Sequence, residues 1–245
     1  MAPPRPGSPL VSAPDPFSFP LVRIDAVAHV GTLDPGRRAV TNRFSLEAFC
    51  LSVSVDPDAW RGIARCGGAP DWTLSRPGAT WFDACALSDA QEAEITDWAV
   101  SEGLAERMTL WRAWRYDDEA DDWGFLVLPD EASALAEAEE DWEEAGPDEG
   151  PAVEPFDGVR LTPAGMTALE RWADPHHAMG GLVILFADRV LAPALPDLVG
   201  VWWDELDDPL SLSCARGGVL PSRLHLLEIR EGWVPGGPED GELAP

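Results

Sequence analysis

The chain has 245 residues, 45% of them apolar, and 44 acids against 17 bases give a formal charge of −27. That apolar share supplies a core for one large domain or two small ones and excludes a globally disordered chain. The charge argues against direct binding to nucleic-acid phosphates or to an anionic membrane and favours a basic partner.

Residue usage narrows the chemistry further. All 17 bases are Arg. Mechanisms that need a lysine amine, such as a Schiff base or a phosphate-loop Lys, are therefore excluded. Cys50, Cys66, Cys85 and Cys214 contain no C-x-x-C pair. This is neither a zinc pattern nor a dense disulfide framework, and it predicts thiols in a reducing cytoplasm. The opening Met1-Ala-Pro-Pro-Arg-Pro lacks the apolar helical core of a secretory signal. No apolar run approaches the ~18 residues of a membrane span.

Residues 1–20 carry seven Pro and are expected to form a disordered arm. Val22, Ile24, Ala26, Ala28 and Val30 alternate as one strand, and Leu51, Val53 and Val55 as a second. Asp56 with Pro57 opens a helix whose stripe is Trp60, Ile63 and Ala64, stopped by Gly67-Gly68. Residues 70–74 and 79–87 read as strands around Arg76-Pro77-Gly78. Ser88 and Gln91 form a capping box for a helix bearing Ile95, Trp98 and Ala99, ended by Gly103. Residues 108–116 and 123–128 read as a hairpin.

Composition then shifts. From Asp117 to Asp157 there are 17 acids and no base. Asp130 is expected to cap a helix to about Ala145, with a thin stripe of Leu135, Ala138 and Trp142, and residues 146–155 to be a linker. Thr162-Pro163 starts another helix, and Asp174-Pro175 stops it. Residues 181–191 are continuously apolar and fit either strand or helix. Residues 198–203, 218–220 and 224–229 read as strands. The irregular mixture predicts an α+β fold with mixed, largely antiparallel sheets and flanking helices. Its expected parts are the arm 1–20, the domain halves 21–128 and 158–232, an acidic helix and linker over 129–157, and a disordered tail 233–245.

Four groups could carry chemistry. The first joins His29-Val30-Gly31-Thr32 at a strand end to Leu51-Ser-Val-Ser-Val-Asp-Pro-Asp-Ala-Trp60, then Trp72-Thr-Leu and Phe82-Asp-Ala. Near the other end stands Gly217-Gly-Val-Leu-Pro-Ser-Arg-Leu224, closing with Leu227-Glu-Ile229. Together these resemble the opening and closing strands of the ADP-ribosyltransferase-like fold. The resemblance implies an NAD+ cleft in which His29 hydrogen-bonds the ribose. It implies that Thr32, Ser52, Ser54 and Trp60 line the pocket, and that a late carboxylate, Glu205 or else Glu228, steadies the oxocarbenium-like centre. It further implies transfer of ADP-ribose to a protein or nucleic-acid target, or a degenerate member that keeps the fold alone. The chain departs from the family's tyrosines, having Tyr116 as its one Tyr, so Trp60 or Trp81 would have to substitute. Its Glu-x-Glu strings, Glu92-Ala-Glu94 and Glu137-Ala-Glu139, fall in predicted helices. Read without the family, His29 is equally a hydrogen-bonded structural histidine.

The second group is Trp202-Trp203-Asp204-Glu205 followed by Arg216-Gly217-Gly218. Its paired indoles could wall a cleft and its Arg216 could meet a phosphate; the plainer reading is a strand followed by a polar turn. The third is the acidic block 117–157. It is either a solvated face or a surface that imitates a nucleic-acid backbone and binds a basic partner, such as a defence factor, without catalysis. The fourth, His176-His177, has no companion ligand in register, so no metal is expected.

Overall fold

Alternating apolar strands of this kind bury one or both faces only by pairing, and here they pair into two sheets. The computed structural model describes residues 14–31, 33, 50–63, 67–117, 122–145, 153–170, 178–204 and 214–233, with backbone alone at 115–117, 122–124 and 139–145. The large sheet has eight strands in the order β1 (Leu21–Arg23), β5 (Thr80–Asp83), β9 (Leu198–Trp203), β10 (Arg216–Val219), β3 (Leu51–Ser54), β2 (Ala26–Val30), β4 (Asp71–Ser75) and β11 (Glu228–Glu231). Its β5–β9 pair is parallel and its other pairs are antiparallel. The small antiparallel sheet is β7 (Asp122–Leu128), β6 (Ala105–Asp117) and β8 (Val153–Leu161). The helices are α1 (Pro57–Ile63), α2 (Asp89–Ser101), α3 (Glu131–Ala145), α4 (Pro163–Ala168), α5 (Ala178–Phe186) and α6 (Ala192–Ala194), the last two joined by a π turn (Ala187–Leu191). The fold is mixed α+β, as its sequence pattern predicts.

One face of the large sheet packs on helices. Phe82, Leu198, Val201 and Trp203 meet Ile95, Trp98 and Ala99 of α2 and the run Leu182 to Phe186 of α5. Every residue from Gly181 to Ala187 is buried, which explains why periodicity could not type this segment: a helix apolar all round shows no stripe. Phe19 joins the same cluster, its ring centroid 5.9 Å from that of Phe82 and 4.7 Å from that of Phe186. The expected arm therefore ends sooner than residue 20. Asp15 caps a short 3-10 turn (Pro16–Ser18), and Phe19 anchors it.

The opposite face is built on indoles over glycines. Register places Trp81 opposite Gly200 and Trp202 opposite Gly217. A Cβ on Gly200 would stand 2.6 Å from the Trp81 ring, and one on Gly217 would stand 2.6 Å from the Trp202 ring. Each ring thus lies in the space that the neighbouring strand leaves empty. The two rings meet edge-on at 5.7 Å, and Trp81 Nε1 donates to the Ile24 carbonyl at 3.0 Å. Val27, Val53, Leu74, Val199 and Val219 complete this layer.

Four elements differ from the sequence expectation for physical reasons. The single alternating strand 22–30 breaks at Ile24-Asp25, so β1 pairs with β5 while β2 pairs with β3 and β4. Part of the expected linker is strand: β8 begins at Val153 and accepts Pro155 because it is an edge strand. Arg216-Gly217-Gly218 is a strand rather than a turn, since its glycines admit the Trp202 ring. Residues 221–226 form a 3-10 turn, and the last strand starts at Glu228.

The helix caps follow the sequence. Ser88 and Gln91 make the reciprocal capping box of α2. Asp130 Oδ1 accepts from Ser133 N at 2.9 Å and Oδ2 accepts from Ser133 Oγ at 3.1 Å, at the start of α3. These bonds to Ser133 hold the Asp130 carboxyl below the ordinary aspartate range.

Two outcomes test this account. Gly217→Ala should lower stability by about 1–3 kcal/mol in urea unfolding, while Gly67→Ala, where an added Cβ meets nothing within 4 Å, should stay within about 0.5 kcal/mol of the parent. Because folding depresses the Asp130 pKa, its contribution is present above the ordinary aspartate pKa and fades as pH falls through the folded value. Asp130→Ala should therefore lose α3 helicity by far-UV circular dichroism at neutral pH, and the gap from the parent should close in acid.

Candidate functional site

β2, β3 and β10 are neighbours, which brings the histidine, the serines and the late arginine of the sequence reading into one strip of sheet. His29 lies in β2 with 8% of its surface exposed. Its Nδ1 is 2.8 Å from the Ser52 carbonyl oxygen. A carbonyl only accepts, so Nδ1 carries the proton of this bond. The ring lies against Gly31, where an added Cβ would stand 3.4 Å from Nε2. The strand end is fixed by two further bonds. Gly31 N donates to the Pro70 carbonyl at 2.9 Å, and Trp72 Nε1 donates to the Gly31 carbonyl at 2.8 Å. The φ of +131° at Gly31 is a value that only glycine adopts readily.

The two serines differ in position and in task. Ser54 is opposite Ala28 and Arg216, and Ser52 is opposite Gly218. By strand alternation their side chains share one face, whereas His29 shares the other with Val27 and Val53. His29 thus reaches Ser52 through the backbone alone. Ser54 is fully buried, and its hydroxyl donates to the Ala215 carbonyl at 2.6 Å, accepts from Asp56 N at 3.0 Å and lies 4.0 Å from Cys214 Sγ. It staples the start of β10 to the turn that opens α1. There Asp56 Oδ1 accepts from Asp58 N and Ala59 N, as the predicted cap requires. Arg216 is half-buried between Ser54 and Trp203 in register, and Trp60 is half-buried in α1.

The carboxylates divide between faces as well. Glu228 is opposite Ser75, hence on the face away from His29, and is exposed, accepting from Arg230 Nε at 2.9 Å. Glu205 and Thr32 lie outside the described residues, as do His176 and His177. The last described residue of the β9 end is Asp204, which follows a strand separated from β2 by β10 and β3.

One residue row was not anticipated. His29 is opposite Trp72 in β4, and Trp72 is opposite Glu231 in β11. An imidazole, an indole and a carboxylate therefore occupy one face of three adjacent strands. The outer two are about 10 Å apart across two strand spacings. The available signal was the continued alternation Leu227, Ile229, Glu231; the expected last strand stopped two residues short of it.

No protein-family model matches the chain, and neither a curated protein nor a solved structure matches it.

The task assigned to Ser54 is open to measurement. Ser54→Ala leaves the Asp56 amide without its acceptor and the Ala215 carbonyl without its donor, and should cost about 1–3 kcal/mol by urea unfolding. Ser52→Ala keeps the carbonyl that meets His29 and should cost less than about 1 kcal/mol.

Proposed function

We propose that this chain is an ADP-ribosyltransferase-like protein that binds NAD+ on the strand strip around His29. The observation that supports the reading is topological. The two stretches that carry the family resemblance come from opposite ends of the chain, yet they interleave as neighbouring strands: β3 lies between β2 and β10, and β4 lies between β2 and β11. The donor set suits a ribosyl group. His29 has Nδ1 committed to a carbonyl and so is held in a single orientation at the end of β2. Trp72 supplies a flat apolar wall next to it, a further indole besides Trp60 and Trp81 for the stacking role that the family gives to tyrosine. A carboxylate near the ribose C1 would offset the positive charge that develops as nicotinamide departs. Glu231 stands in the same row, and Glu205 and Glu228 remain the acids that the family pattern points to.

In a transfer step the acceptor's oxygen or nitrogen forms a bond to C1, the C1–nicotinamide bond breaks, neutral nicotinamide leaves and the acceptor gives up a proton. The acceptor is a protein or nucleic-acid group. A member that has lost this chemistry would still bind NAD+.

A second reading rests on a different observation, the segregation of charge. Among the described residues of the base-free stretch 117–157, seven acids lie in α3, which packs on the small sheet, two in β8 and one each in β6 and β7. Such a surface suits a non-enzymatic role, engaging a basic partner as a nucleic-acid mimic or inhibitor.

Thermal unfolding with NAD+ tests the first reading. Saturation near 100 times Kd stabilises by about 2.7 kcal/mol, a rise of several degrees in Tm for a chain of this size. His29→Ala should abolish the rise, and Glu231→Gln should keep it while removing any ADP-ribose mass gain on acceptor proteins. An unchanged Tm at millimolar NAD+ would sink the reading.

A further inference from the structure

The large sheet closes on itself. β1 and β2 are separated only by Ile24 and Asp25, and β4 and β5 only by residues 76–79. Across this junction Ile24 N donates to the Ala79 carbonyl at 3.3 Å, and Arg76 N donates to the Asp25 carbonyl at 2.8 Å. Residues 21–30 and 71–83 are therefore one long, bent antiparallel pair. The path from β5 through β9, β10, β3 and β2 to β4 returns to the stretch of chain it left, which makes a small barrel. Trp81, Trp202, Val27, Val53, Leu74 and Val199 fill its interior as one cluster.

His29 shares the face of Val27 and Val53, so it lines this interior, and 8% of its surface is exposed. A ribose reaches its ring only when an element over the interior moves. The 3-10 turn Pro221–Leu226 is such an element. It leaves β10 through Leu220 and ends at Leu227, and Leu224, Leu226 and Leu227 pack on the interior cluster.

The turn is held lightly. None of its six residues is fully buried, and Pro221, Ser222 and His225 are exposed. Its 3-10 hydrogen bonds have poorer geometry than those of an α-helix. Its side-chain anchors are Ser222 Oγ, which donates to Asp188 Oδ1 at 2.9 Å, and Arg223, which donates to the Ala192 carbonyl. Its flanks are firmer, with Leu220 and Leu227 buried and β11 paired to β4. A short segment with few buried contacts between firm ends opens at lower cost than the strands beneath it.

We propose that Pro221–Leu226 is a lid on the barrel that lifts to admit NAD+ to His29, with the bond from Ser222 to Asp188 as its latch. The inference rests on the NAD+ reading above and adds a regulation to that site. The latch joins exposed Ser222 to half-buried Asp188, neither of which belongs to the row of His29, Trp72 and Glu231, so it can be cut without altering that row. A lid that is mostly shut lowers the apparent affinity by the open fraction, and cutting the latch raises that fraction.

The test pairs NAD+ titration calorimetry with hydrogen exchange on the full chain. Ser222→Ala and Asp188→Ala should each speed exchange at the Arg223 and Leu227 amides, which bond within the turn and its ends, and leave the β9 amides protected. Each should also tighten NAD+ binding about threefold or more, and the double variant should gain no more than either alone, since both remove one bond. Unchanged exchange over 221–227 in both variants would overturn the latch. A loosened turn with unchanged NAD+ affinity would overturn the lid, and in both cases NAD+ binding by the parent would keep the NAD+ reading standing. Absence of NAD+ binding by the parent and the variants alike would remove the lid and the reading together.

Discussion

The packing of two indoles onto two glycines at the β5–β9–β10 junction is the constraint from which the rest of the large sheet follows. β9 joins two sets of strands: β1 and β5 on one side, and β10, β3, β2, β4 and β11 on the other. Trp81 and Trp202 are almost completely buried there, and neither ring would fit if Gly200 or Gly217 carried a side chain. Packing at this density leaves no slack for a methyl group. The close approach of β10 to β9 and β3 then sets Arg216 beside Ser54, and Ser54 ties the β10 entry to the turn opening α1. His29 is one strand farther along, held by the Ser52 carbonyl.

A chemical division follows from the same sheet. On one face, hydroxyls and Arg216 sit near α1, and the hydroxyl of Ser54 serves the backbone. On the other, His29, Trp72 and Glu231 form a row. A ligand contacting both His29 and the serine hydroxyls would have to pass around a strand end. The row on the His29 face needs no such route, which is why the NAD+ reading places the indole of Trp72 and the carboxylate of Glu231 beside the ribose. The small sheet contributes something separate. Its helix-covered face is a thin alanine contact, and its open face is aromatic and set in the most acidic part of the chain.

Much of this was legible beforehand because it depends on neighbours in sequence. Ser88 and Gln91 mark the start of α2 and Asp130 that of α3, since a cap and its helix lie within three residues. The alternation of Leu51 to Ser54 and the pairing of β6 with β7 follow from side-chain period and short separation in sequence. The charge block, the absence of lysine and the α+β class are properties of composition and order. Among the described residues, no helix is long and apolar enough to cross a membrane, in line with the absence of a long apolar run.

Other features were decided only when remote segments met. The break at Ile24-Asp25 cannot be seen in an alternating pattern, because it depends on β5 and β4 competing for successive residues of one stretch. Strand alternation alone could not tell that His29 and the serines face opposite ways, since that needs the pairing of Ala28 with Ser54. Gly217-Gly218 reads as a turn until Trp202 is placed over it. Sequence therefore determined the local elements and the charge, whose causes lie within a few residues. Tertiary structure decided which side chains share a face, because register between distant strands is set by the shape of the whole core.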